Sequence, residues 1–223
     1  MGKKPRMRTA IFLGAGASAA EGAPLQSHLF YDYFNSLPQN GIANEMDREL
    51  ATFFDIMFGV NVDNKENLRP EMFPTFEEAL GILDLAEGRK ESLKDFDLES
   101  LAVNSNRIRF VRQYLIMLMA KVIDDKLQDS GPKHRELVDK LRRAKRIKDT
   151  TFITTNYDIL VDNALTALYD NDVMLDYEID FTNFDRTGDW KRPNRSAIKL
   201  YKVHGSLNWL LCRTCNTPRF QES

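Results

Sequence analysis

The chain has 223 residues, with 31 Lys and Arg against 33 Asp and Glu, for a formal net charge of −2. Its 43% hydrophobic content can build a sizeable core, which excludes intrinsic disorder and matches one large domain or a domain carrying an insertion. Near-neutral charge gives no global field for gripping a phosphate backbone, so direct contact with nucleic acid is not expected.

At the N-terminus, Lys3, Lys4, Arg6 and Arg8 precede the apolar Ile11, Phe12 and Leu13. Gly14 interrupts that run too early for the ~7–15-residue apolar region of a signal peptide. The longest apolar run, Tyr114 to Ala120, is broken by Lys121 and falls far short of the ~20 residues of a membrane span. No membrane association is expected, and the expected location is the cytoplasm.

Residues 8–13 read as a β-strand that enters a Gly/Ala/Ser turn, Gly14 to Ser18. From Leu25 to Leu37 the apolar residues recur at helical spacing, and a second helix is expected from Ile42 to Phe58. The polar stretch Asn61 to Pro74 reads as a loop. Thr75 with Glu78 forms a capping box ahead of a helix that Gly88 is expected to end. The longest helix is expected from Asn106 to Leu127, apolar around so much of its surface that it must be buried. Gly131–Pro132 ends it, and a charged helix follows to about Ile147. A second strand at Thr151–Thr155, a helix at Ile159–Tyr169 and a third strand at Ala197–Val203 complete the pattern. That order predicts an α/β fold: a Rossmann-like, mainly parallel sheet in one domain over residues 1–223, with a large helical insertion at 38–149.

Three strand ends carry polar or glycine-rich sequence. Gly14-Ala15-Gly16-Ala17-Ser18 follows the first strand, and glycines let a backbone approach a pyrophosphate closely. A tight turn without a ligand explains the same residues. A dehydrogenase-type site needs an acidic residue ~20 positions on, at the end of a second strand. Asp32 has that spacing but sits inside a helical run, so the dehydrogenase reading fails. Thr154-Thr155-Asn156-Tyr157-Asp158 follows the second strand, where ligands of open parallel sheets collect, although Asn156 or Asp158 capping the next helix is the simpler account. His204-Gly205 ends the third strand, and an imidazole there suits general-base work, or merely a hydrogen-bonded turn. Cys212 and Cys215, the only cysteines, cannot make a secreted disulfide framework, and their spacing is that of a metal or redox pair. The basic run from Lys140 to Lys148 reads as a solvated helix face, because no aromatic residues accompany it for base stacking.

Taken together, Gly14-Ala15-Gly16-Ala17-Ser18, Gly22-Ala23-Pro24, Thr154 to Asp158, His204-Gly205 and Cys212-Arg213-Thr214-Cys215 resemble the sirtuin superfamily in order and context. The resemblance covers about the first ~40 and last ~75 residues, with the helical insertion outside it. It implies that Gly14, Ala15, Gly16, Ser18 and Pro24 hold NAD, and that Asn156 and Asp158 surround nicotinamide and its ribose. It also implies that His204 is the catalytic base and that Cys212 and Cys215 begin a structural zinc ribbon. One pair supplies two of the four ligands a structural zinc requires, so little zinc is expected in this chain.

The sequence also departs from that family. Pro24 is followed by Leu25-Gln26-Ser27 where protein deacylases of the family continue Asp-Phe-Arg, and Thr155 stands where Gln is usual. The stretches that complete the adenine side have no counterpart before Ser223. The chain is therefore expected to be the front part of a longer protein, with an unpaired sheet edge at the His204 strand and a tendency to self-associate. The large insertion resembles the bacterial anti-phage branch, which implies an NAD hydrolase acting with itself or with a defence partner. An NAD-dependent deacylase and a non-catalytic NAD sensor are the alternatives.

Overall fold

The computed structural model describes residues 8–38, 44–91, 93, 101–128, 131–167, 175–183, 197–212 and 217–220. The chain forms two compact units, one of Met1–Ala23 with Asp129–Ser223 and one of Pro24–Gln128. Relative to the expected insertion at 38–149, the helix after Pro24 belongs to the helical unit, whereas the charged helix after Pro132 belongs to the sheet unit.

The sheet unit is α/β and Rossmann-like. Strands β1 (Thr9–Leu13), β2 (Thr150–Thr154), β3 (Leu175–Asp176) and β5 (Ile198–Lys202) make one parallel sheet in the order β1-β2-β5-β3. β2 reads TTFIT and β5 reads IKLYK, and both bury alternate residues. Thr150, Phe152 and Thr154 are buried on β2, and Ile198, Leu200 and Lys202 on β5, as a period of two requires. Around them pack Leu13, Val138, Val161, Ala164 and Leu165, so the core lies between the sheet and its helices. α6 (Lys133–Arg143) turns Val138 inward, while Lys140, Arg142, Arg143, Lys145 and Lys148 are exposed. α1 (Ala15–Ala19) and α7 (Leu160–Ala167) follow β1 and β2.

The expected edge is corrected. β5, which leads to His204, is flanked by β2 on one side and β3 on the other. β3 escaped the sequence because a two-residue strand has no periodicity to detect. A second sheet, β4-β7-β6, was equally unforeseen, with β4 (Thr182–Asn183), β6 (Trp209–Cys212) and β7 (Thr217–Phe220). β6 and β7 are antiparallel, pairing Cys212 with Thr217. Cys212 therefore ends a strand of a hairpin, and Cys215 lies outside the described residues.

The helical unit contains α2 (Gln26–Ser36), α3 (Glu45–Phe58), α4 (Phe76–Arg89) and α5 (Leu101–Leu127). Its core is aromatic: the Phe54 ring lies 4.7 Å from Phe30, 5.5 Å from Phe34 and 5.5 Å from Phe73. The Thr75–Glu78 capping box is present. Gly88 does not end α4, which runs to Arg89 and stops where Lys90 turns left-handed at φ 57°. The helix goes through Gly88 because a glycine lowers helix propensity by only ~1 kcal/mol and cannot by itself stop one that is held by packing. Asp32 lies within α2 and pairs with Lys126 at 2.9 Å, a helical placement that removes the dehydrogenase reading. No helix among the described residues is long and apolar enough to cross a membrane.

Candidate functional site

Three strands of the sheet unit end on one line. Leu13 of β1 is level with Thr154 of β2, and Thr154 with Lys202 of β5. Because the strands are parallel, the chain leaves all three at the same sheet edge. Two backbone bonds carry the alignment one residue further, Thr155 N to Leu13 O at 3.3 Å and Val203 N to Thr154 O at 3.1 Å. The segments that follow are Gly14 to Ser18, Thr155 to Asp158 and Val203 to Gly205. Asn156 and His204 each stand two residues beyond the aligned pair Thr154 and Lys202.

Asn156 joins two of these segments. Its Nδ2 donates to the Gly14 carbonyl at 2.9 Å and to Ser18 Oγ at 2.6 Å. Ser18 Oγ in turn donates to Asp158 Oδ2 at 2.6 Å, and Asp158 Oδ1 accepts from the Leu160 amide at 3.0 Å. Donor and acceptor chemistry orients the whole chain of bonds. A carboxylate and a carbonyl only accept, and the hydroxyl has given its proton to Asp158, so Asn156 must present its NH2 inward. Its Oδ1 accepts no hydrogen bond from any described residue. Ser18 and Asp158 are 3% and 6% exposed, and their polar atoms are engaged within the protein. Asp158 thus holds Ser18 and the start of α7, rather than presenting a free carboxylate to a ribose.

Ala15 and Gly16 are exposed on α1. A Cβ added at Gly16 would meet nothing within 4 Å, and one at Gly14 would meet only Phe12, at 4.0 Å. Gly14 has φ −99°, so neither packing nor a left-handed backbone demands glycine in this turn. Gly205 differs, because its φ of 89° lets the chain reverse directly after His204. His204 is exposed, stands 5.9 Å ring to ring from Tyr157, and makes no hydrogen bond with any described residue.

The strand ends therefore bring together Gly14, Ala15, Gly16, Ser18, Asn156, Asp158 and His204, all in the sheet unit. Pro24 opens the helical unit. No family model and no curated protein sequence matches this chain.

Sequence reasoning missed a buried polar cluster beneath these turns. Lys202 Nζ donates to the Asp158 carbonyl and to Asp162 Oδ2, the latter at 3.0 Å, and Tyr177 OH donates to Asp162 Oδ1 at 2.6 Å. Burial, then the Asp162 charge, pushes the Tyr177 phenol far above its ordinary range, so it remains a hydrogen-bond donor. The signal for Lys202 was present in the sequence. Alternation along Ile198, Leu200 and Lys202 puts the lysine on the core face, where an unpaired charge is not tolerated.

Proposed function

We propose that the sheet unit binds NAD at this strand-end edge and hydrolyses the bond between nicotinamide and ribose. The observation that carries the reading is Asn156: its NH2 is fixed by Gly14 and Ser18, and its carbonyl oxygen accepts no hydrogen bond from any described residue. An acceptor of fixed orientation suits a water or a ribose hydroxyl as its ligand.

The chemistry asks little more of the protein. Nicotinamide leaves a pyridinium ribose as a neutral molecule, so no acid is needed to protonate it. What remains is a positioned water and a base for its proton. Asn156 Oδ1 orients the water or the ribose, and His204 accepts the proton. Water adds to the ribose carbon as the C–N bond breaks, giving nicotinamide, ADP-ribose and one proton. Gly14, Ala15 and Gly16 provide the open backbone against which the pyrophosphate lies. Defence against phage, with a second copy or a partner protein, is the setting that the sirtuin-like motifs suggest.

Nicotinamide release from NAD by the purified protein, followed by chromatography, tests this directly, with an acetyl-lysine peptide added in parallel. Release without the peptide is the expected result. Release only with the peptide identifies a deacylase, and NAD binding without release identifies a sensor. Gly16→Ala checks the loop. The added methyl meets no described neighbour within 4 Å and favours the helix by ~1 kcal/mol, so stability should hold or rise while NAD binding weakens. Unchanged NAD affinity in a calorimetric titration would place the pyrophosphate elsewhere.

A further inference from the structure

The Lys202 side chain is 0% exposed. A lysine so buried is retained only with partners that satisfy its charge and its donors. Asp162 supplies the charge, and Tyr177 secures the other oxygen of that carboxylate. Among the described residues Lys202 makes one further bond, and it is not to a carboxylate: it donates to the backbone carbonyl of Asp158. Asp158 is the residue whose side chain holds Ser18, which in turn holds Asn156. Lys202 also ends β5, two residues before His204.

We infer that Lys202 is a positioning residue: its ammonium, neutralised by Asp162, clamps the Asp158 carbonyl and so fixes the Asn156 turn relative to the strand that carries His204. The inference deepens the NAD-hydrolase reading and rests on it for its catalytic consequence. Its structural half stands on the bonds alone. A charge at this place exists to strengthen a hydrogen bond to a backbone carbonyl in a site of low dielectric, where such bonds are shorter and stronger than neutral ones.

The test separates charge balance from positioning. Lys202→Met alone would leave the Asp162 carboxylate buried without a cation, so the informative variant is Lys202→Met with Asp162→Asn, in which both charges go together. Lys202→Gln with Asp162→Asn returns a neutral donor toward the same carbonyl. Hydrogen exchange over residues 155–160 is the first readout, since the Asn156 and Leu160 amides are bonded within that turn.

Met with Asn should keep the thermal transition near that of the wild type yet exchange the turn at least about tenfold faster, with Gln with Asn in between. Nicotinamide release should fall in the same order, in kcat more than in KM. Unchanged protection of the turn in the Met with Asn variant would overturn the inference and leave Lys202 as a counter-charge only. If that variant does not fold but the Gln one does, the hydrogen bond to Asp158 is confirmed as the lysine's task. Failure of both overturns it in favour of packing by the lysine stem. A wild-type protein that releases no nicotinamide would refute the hydrolase reading, while the exchange experiment still decides the role of Lys202.

Discussion

Asn156→Ala is expected to lower nicotinamide release by at least ~10²-fold, the loss typical of removing one oriented polar group from a reacting centre. The same substitution removes the donor to the Gly14 carbonyl and to Ser18 Oγ, both in the protein interior or close to it. That should lower stability by ~1–2 kcal/mol, or a few degrees in the thermal transition of a chain this long. The two effects are separable. Measured well below the transition, nearly all of the variant is folded, so a stability loss alone predicts nearly normal turnover. A hundredfold deficit under those conditions assigns the asparagine to the chemistry, and full turnover would reduce it to a turn residue.

His204→Ala should cost ~10²–10⁴-fold in kcat with almost no change in stability, because the imidazole is exposed and makes no hydrogen bond with any described residue. The stability half of that expectation follows from the geometry alone. The kinetic half depends on the imidazole acting as the base. A variant that retains the rate would remove His204 from the mechanism. Replacement by Gln, which keeps a polar side chain of similar reach but takes up no proton, distinguishes base catalysis from simple hydrogen bonding.

The parts legible in the sequence were those written locally. β1, β2 and β5 announced themselves by short β-branched and aromatic runs, and the glycine turn, the Asn156 segment and His204 each sit directly after one of them. Strand order and register, which set Leu13, Thr154 and Lys202 level, were not legible, because pairing depends on residues far apart in the chain. The same distance hid the bond between Ser18 and Asp158, and with it the inward role of that carboxylate. Lys202 was overlooked for a different reason. A lysine in a strand reads as an outward position, although the period of two assigned it to the core. Gly88 misled in the opposite sense, since glycine weakens a helix locally while packing of Leu83 and Ala86 carries α4 past it.

The central claim is that three strand ends of one unit form a single NAD site. Backbone amide NMR of the isotopically labelled protein during titration with NAD tests it most directly. The account predicts that shift changes concentrate at Gly14 to Ser18, Thr155 to Asp158 and Val203 to Ser206, and saturate together with one dissociation constant. Shifts confined to α2–α5, or no shifts at millimolar NAD, would contradict it.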